Sequence, residues 1–148
     1  MKSRASQLTP AVDQARQHCE DAVQRLAEQQ RRFADAERQL AELRRYHAEY
    51  AIGAKNGGLS VTALLNQQHF AEKIDRAIGQ QIHEVERQRR LLEQAGGAWR
   101  AAHAREKALD SVVDRYREQG QRSEERREQN DIDERMQNRR TPPRVSKA

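Results

Sequence analysis

The sequence predicts an all-α protein, a long antiparallel two-helix coiled coil (helical hairpin) with an extended second helix. Three observations carry this. Only 35% of the 148 residues are hydrophobic and 34% are charged, too little apolar material for a thick globular core. Prolines are confined to Pro10, Pro142 and Pro143, so a chain rich in Ala, Leu, Glu, Gln and Arg runs from 11 to 141 without one. Apolar residues recur at alternating steps of three and four along two stretches that flank a cluster of glycines.

Thr9 before Pro10 marks the start of the first helix. A threonine oxygen can cap a free amide, and a proline at the first helical position loses nothing by lacking an N–H. The seam then runs through Val12, Ala15, Cys19, Ala22, Leu26, Gln29, Phe33, Ala36, Leu40, Leu43, His47 and Tyr50. This is a heptad stripe broken only by Gln29 and His47. The helix is expected over about 10–52, near 65 Å at 1.5 Å per residue.

Gly53, Asn56, Gly57 and Gly58 suit a left-handed turn, expected over 53–60. Ser60 can cap a second helix, expected over about 61–138. Its seam passes through Leu64, Gln67, Ala71, Ile74, Ile78, Gln81, Val85, Gln88, Leu92, Ala95, Trp99, Ala102, Glu106, Leu109, Val113 and Tyr116. Residues 1–140 thus read as a single coiled-coil hairpin, and 141–148, "TPPRVSKA", as a disordered tail. Adjacent Gly96 and Gly97 each cost roughly 1 kcal/mol against alanine. They read as a soft spot in a continuous helix or as a hinge.

The second helix is the longer, at roughly 110 Å or more. With a pivot near residue 56, Val12 would face Trp99 or its neighbours, leaving everything beyond about 105 without a partner in the chain. Leu109, Val113 and Tyr116 would then form an exposed apolar face. From Glu118 to Arg140 only Ile132 and Met136 are large and apolar. Pairs such as Glu118 with Arg122 and Asp131 with Arg135 would support that stretch.

Several function classes recede. No apolar run approaches the roughly 20 residues that cross a bilayer, and "MKSRASQLTPAV" lacks the apolar stretch of a secretory signal, so a cytosolic protein is expected. Cys19 is the single cysteine, which excludes an internal disulfide. The net charge of +5 is spread among acidic neighbours, as in "EERREQNDIDERMQNRR", with no basic stripe or stacking platform for nucleic acid. Histidines at 18, 47, 69, 83 and 103 have no metal-ligand spacing, and no phosphate loop of the GxxxxGK type is present. No catalytic residue, metal, cofactor or small-molecule substrate is expected.

Tyr46 and Tyr50 are two of few aromatics. Gln39, Leu43, Tyr46 and Tyr50 share one stripe within about 60° of arc at 100° per residue. Phe70, Ile74, Ala77 and Gln81 repeat the same offsets on the second helix. Either these side chains fill the helix contact, or they widen its apolar face to anchor a partner.

The order "SRASQLTPAVDQA", "QLAELRRYHAEY", a short Gly-Ser turn, "FAEKIDRAIGQQ", "WRAAHAREKALDSVVDR" and "EQNDIDERMQNR" resembles the FliJ family of bacterial flagellar type III export proteins over nearly the whole chain. The resemblance implies a non-enzymatic coiled coil similar to the stalk subunit of rotary ATPases, serving flagellum biogenesis and motility. It implies a cytoplasmic protein, peripheral at the inner-membrane export apparatus. There it would dock on the hexameric export ATPase, contact the cytoplasmic domain of the membrane export gate and cycle export chaperones. It implies a gate-facing surface of Gln39, Leu43, Tyr46, Tyr50, Phe70, Ile74 and Ala77, with Gln81 where some members carry a histidine. In such an assembly the face of Leu109, Val113 and Tyr116 would meet the ATPase ring. The alternative is a generic structural coiled coil that assembles with itself, which sedimentation would distinguish from a monomeric stalk.

Overall fold

The computed structural model describes residues 3–55 and 60–140. Three helices follow in order: α1 over Arg4–Gln7, α2 over Thr9–Lys55 and α3 over Val61–Arg140, with no strand among the described residues. The core of the expected turn, residues 56–59, and the expected tail, 141–148, lie outside the described residues.

Helical backbone starts earlier than the sequence predicts. Ser3 is the N-cap of α1, its Oγ accepting the Ser6 N–H at 3.2 Å, and Leu8 keeps a right-handed helical conformation. Pro10 has no N–H to offer the carbonyl four residues back, so the helix breaks for one residue at Leu8 and resumes. The Val12 N–H then donates to the Leu8 carbonyl at 2.9 Å. Thr9 is therefore the first residue of a resumed helix instead of the cap of a new one. α2 carries on through Gly53 to Lys55, past the expected end at 52. At the start of α3, Ser60 behaves as the sequence predicts, its Oγ accepting the Ala63 N–H at 3.2 Å.

Contacts divide the chain into two units, residues 18–103 and residues 1–17 with 104–148. Within the first, α2 and α3 run antiparallel. Cys19 and Ala22 pack with Ala102 and Trp99, Gln29 meets Gln88, Ala36 meets Gln81, and Tyr50 meets Gln67 and Phe70. As numbers rise on one helix they fall on the other. Of the α2 seam residues here, Cys19, Ala22 and Ala36 are buried and the rest half-buried. The α3 seam follows suit apart from Leu64, which is exposed.

The seam contains a polar layer. Buried Gln88 accepts from Gln29 Nε2 at 2.9 Å and donates to Glu84 at 2.9 Å, while Arg87 grips the same carboxylate at 2.8 Å. Arg87 first, then Gln88, hold the Glu84 carboxyl down at about 2, since both favour its charged form. α3 passes Gly96 and Gly97 without a break in its helical backbone. A Cβ at either position would meet an Arg100 guanidinium nitrogen at 3.5 or 3.8 Å, so the arginine covers the bare backbone.

The second unit corrects one expectation. The helix beyond 105 has a partner, because the N-terminal segment reaches further along α3 than a pivot near 56 allows. Val12, Ala15 and Val113 are buried there. Arg16 approaches Glu106 at 3.9 Å and Asp110 at 3.8 Å, and the Arg4 guanidinium stands 5.9 Å from the centre of the Tyr116 ring. Only from Arg117 to Arg140 is every residue exposed, Ile132 and Met136 included. There Gln129 donates to Asp133 at 3.3 Å.

Candidate partner-binding site

In the 18–103 unit, the two predicted stripes meet near the closed end of the hairpin. Tyr50 and Phe70 stack across the helix pair, their ring centres 5.0 Å apart and their planes 23° from parallel. Antiparallel pairing puts them opposite each other, and a backbone tie secures the spot: Gln67 Nε2 donates to the Tyr50 carbonyl at 3.2 Å. His47 pairs with Asp75 at 2.8 Å. On the helical wheel Tyr46 falls on a shoulder of the seam and His47 in the seam itself, so the aromatic flank and the His47–Asp75 pair are distinct.

The eight expected contact residues divide by depth. Tyr46 is 56% exposed and Phe70 49%, and Gln39 is exposed beside them. Leu43, Tyr50 and Ala77 are half-buried and open one edge each. Ile74, only 7% exposed, belongs to the seam and supports the flank from beneath. Gln81 is half-buried and donates to the Ala36 carbonyl at 3.0 Å, so its amide is occupied within the pair.

The surroundings of Tyr46 are polar on both sides. Glu42, Arg45 and Glu49 line a shallow cleft with it. An amphipathic ring with mixed charges at its rim is the usual make-up of an interface anchor: apolar area at the centre and solvated ion pairs outside. The arrangement supplies adhesion.

The residues expected to meet an ATPase ring stand differently. Val113 is buried, while Leu109 and Tyr116 are half-buried, Tyr116 beneath Arg4. Every residue from Arg117 to Arg140 is exposed. Sequence reasoning also passed over Ile52, Val61 and Leu65, each more than half exposed. The signal that finds them is the scarcity of charge around them: between Glu49 and Glu72 only Lys55 is charged.

No curated protein and no solved structure matches the chain. The family model described as "Flagellar FliJ protein" matches residues 3–141. That span takes in both helices, the polar layer and the aromatic flank, and on it the chain belongs to the FliJ family, components of the flagellar export apparatus.

Proposed function

We propose that this protein is a stalk-like, non-enzymatic link in the export apparatus, and that the aromatic flank of the 18–103 unit binds the cytoplasmic domain of the membrane export gate. The observation that carries the reading is the exposure of Tyr46 and Phe70 next to a Tyr50 ring already fixed by stacking. Two large rings held open to water on a rigid helix pair gain by being covered, and little ordering entropy is lost when a partner arrives. Gln39, Leu43 and Ala77 extend the contact, while Ile74 and Gln81 hold it in shape.

The unit of residues 1–17 with 104–148 serves, in the same reading, as the dock for the hexameric export ATPase. Half-exposed Leu109 and Tyr116 and the fully exposed helix after Arg117 supply the surface, with Val113 as internal support. Cycling of export chaperones belongs to the same assembly and to a cytoplasmic location peripheral to the membrane.

Co-sedimentation of the purified chain with the gate's cytoplasmic domain tests the central claim. The native chain is expected to travel with the gate domain, and a Tyr46→Glu, Phe70→Glu variant of unchanged helicity is expected to travel alone. Equal binding by both would overturn the assignment. The same run, without the gate, tests self-assembly: a stalk sediments as a monomer.

A further inference from the structure

The closed end of the hairpin differs in chemistry from the rest of the molecule. In a chain that is 34% charged, the run from Tyr50 to Ala71 carries Lys55 alone. Among the described residues of this run, four large apolar side chains besides Phe70 stand open: Ile52 is 61% exposed, Val61 77%, Leu64 51% and Leu65 61%.

These side chains do not share a flank. Ile52 lies nine residues after Leu43, and Leu65 nine before Ile74. At 100° per residue, that sets both about 180° from the seam, on the outer faces of α2 and α3. Leu64 keeps the seam's register and is open too. A protein docked on the Tyr46 and Phe70 flank would leave the outer faces in water. Apolar groups facing several ways around one helix end fit a medium that surrounds that end.

The absence of charge selects the medium. Entering a low-dielectric layer is opposed chiefly by desolvating ions, and the sequence from Tyr50 to Ala71 holds none but Lys55, whose sign suits phosphate headgroups. Ser60 already satisfies the Ala63 N–H, so one first-turn donor at this end does not depend on water. No described helix is long and apolar enough to cross a membrane. We propose that the closed end, through Ile52, Val61, Leu64 and Leu65, inserts shallowly into the surface of a lipid bilayer, at the depth of about 5–10 Å typical of interfacial helices.

The test is flotation of the full-length protein with neutral phosphatidylcholine vesicles, which give the net positive charge nothing to bind. The native chain should float, and Ile52→Glu with Leu65→Glu should reduce partitioning at least about tenfold while circular dichroism stays unchanged. Ile132→Glu with Met136→Glu, another exposed apolar pair elsewhere on α3, should float like the native chain. In a separate variant, Leu65→Trp, added emission should shift to the blue on contact with vesicles. The proposal is overturned if the native chain stays in solution, if the variant carrying Ile52→Glu and Leu65→Glu floats unchanged, or if binding needs anionic lipid and vanishes in salt. It is equally overturned if the tip substitutions abolish binding to the gate domain with no effect on flotation, which would make the tip a plug for a protein socket.

Discussion

Tyr46→Ala separates a binding surface from a packing surface. A tyrosine side chain offers roughly 150–250 Å², and Tyr46 is 56% exposed, so about 100 Å² remains for a partner to cover. At about 25 cal/mol per Å² that area is worth about 2.5 kcal/mol on binding. The dissociation constant for the gate domain should therefore rise by about 50- to 100-fold, at about 1.4 kcal/mol for each factor of ten. Stability should fall by less than about 1 kcal/mol, because Tyr46 is exposed and shares its cleft with the exposed residues Glu42, Arg45 and Glu49. Ile74→Ala should do the reverse. Its side chain is 7% exposed, and the truncation should cost about 2–5 kcal/mol of stability while affecting the gate only through the support it gives. Isothermal titration with the gate domain and urea unfolding followed by circular dichroism read the two quantities on the same samples. If Tyr46→Ala binds like the native chain, or loses affinity only in step with lost helicity, the flank is packing and the reasoning fails.

The polar layer should show coupling: Gln29→Leu or Gln88→Leu alone strands a half-buried or buried amide and destabilises by about 1–2 kcal/mol, whereas the double substitution restores most of the loss. Urea midpoints of the four proteins close that cycle, and additive losses would deny the layer a role. Glu84 titrates lower in the folded chain, at about 2 against an ordinary 4.5, so its contribution is present above pH 4.5 and is lost as pH falls through that window. Glu84→Gln should therefore remove part of the native chain's acid sensitivity between pH 5 and 2, read as the change in urea midpoint; an unchanged profile would discount the Arg87 and Gln88 bonds. Cutting the chain after Arg117 should leave both helix pairs folded, since every residue from 117 to 140 is exposed, and should abolish stimulation of the export ATPase in a phosphate-release assay. Cutting after Lys107 should instead unfold the first residues as well, because Arg4 and Arg16 lose Tyr116 and Asp110.

The seam was legible because a heptad pattern reports directly which face of a helix leaves water, and from Val12 to Tyr50 every residue named from the pattern is buried or half-buried. Register was harder. Steps of three and four say where a stripe lies but not which layer faces which, and a pivot set only a few residues early left Leu109, Val113 and Tyr116 without the cover that the first residues provide. Thr9 misled because Pro10 is compatible both with a helix start and with a helix that pauses and resumes. Depth within the aromatic stripe was invisible for a similar reason: offsets of zero, four, seven and eleven span about 60°, wide enough to hold buried Ile74 and open Tyr46 alike. The Gln29–Gln88 contact depends on cross-helix register, which neither residue reveals alone.

None of the described side chains is fully buried, even in the seam. Each layer of side chains is one residue deep, and its neighbours are the layers before and after it. Disturbance should therefore spread along the helices and fade, as it does in repeat proteins, instead of breaking the whole at once. Amide exchange would then form a gradient, slowest around Cys19 and Ala102 and fastest toward Arg140. A disturbance confined to one end should therefore leave the aromatic flank assembled.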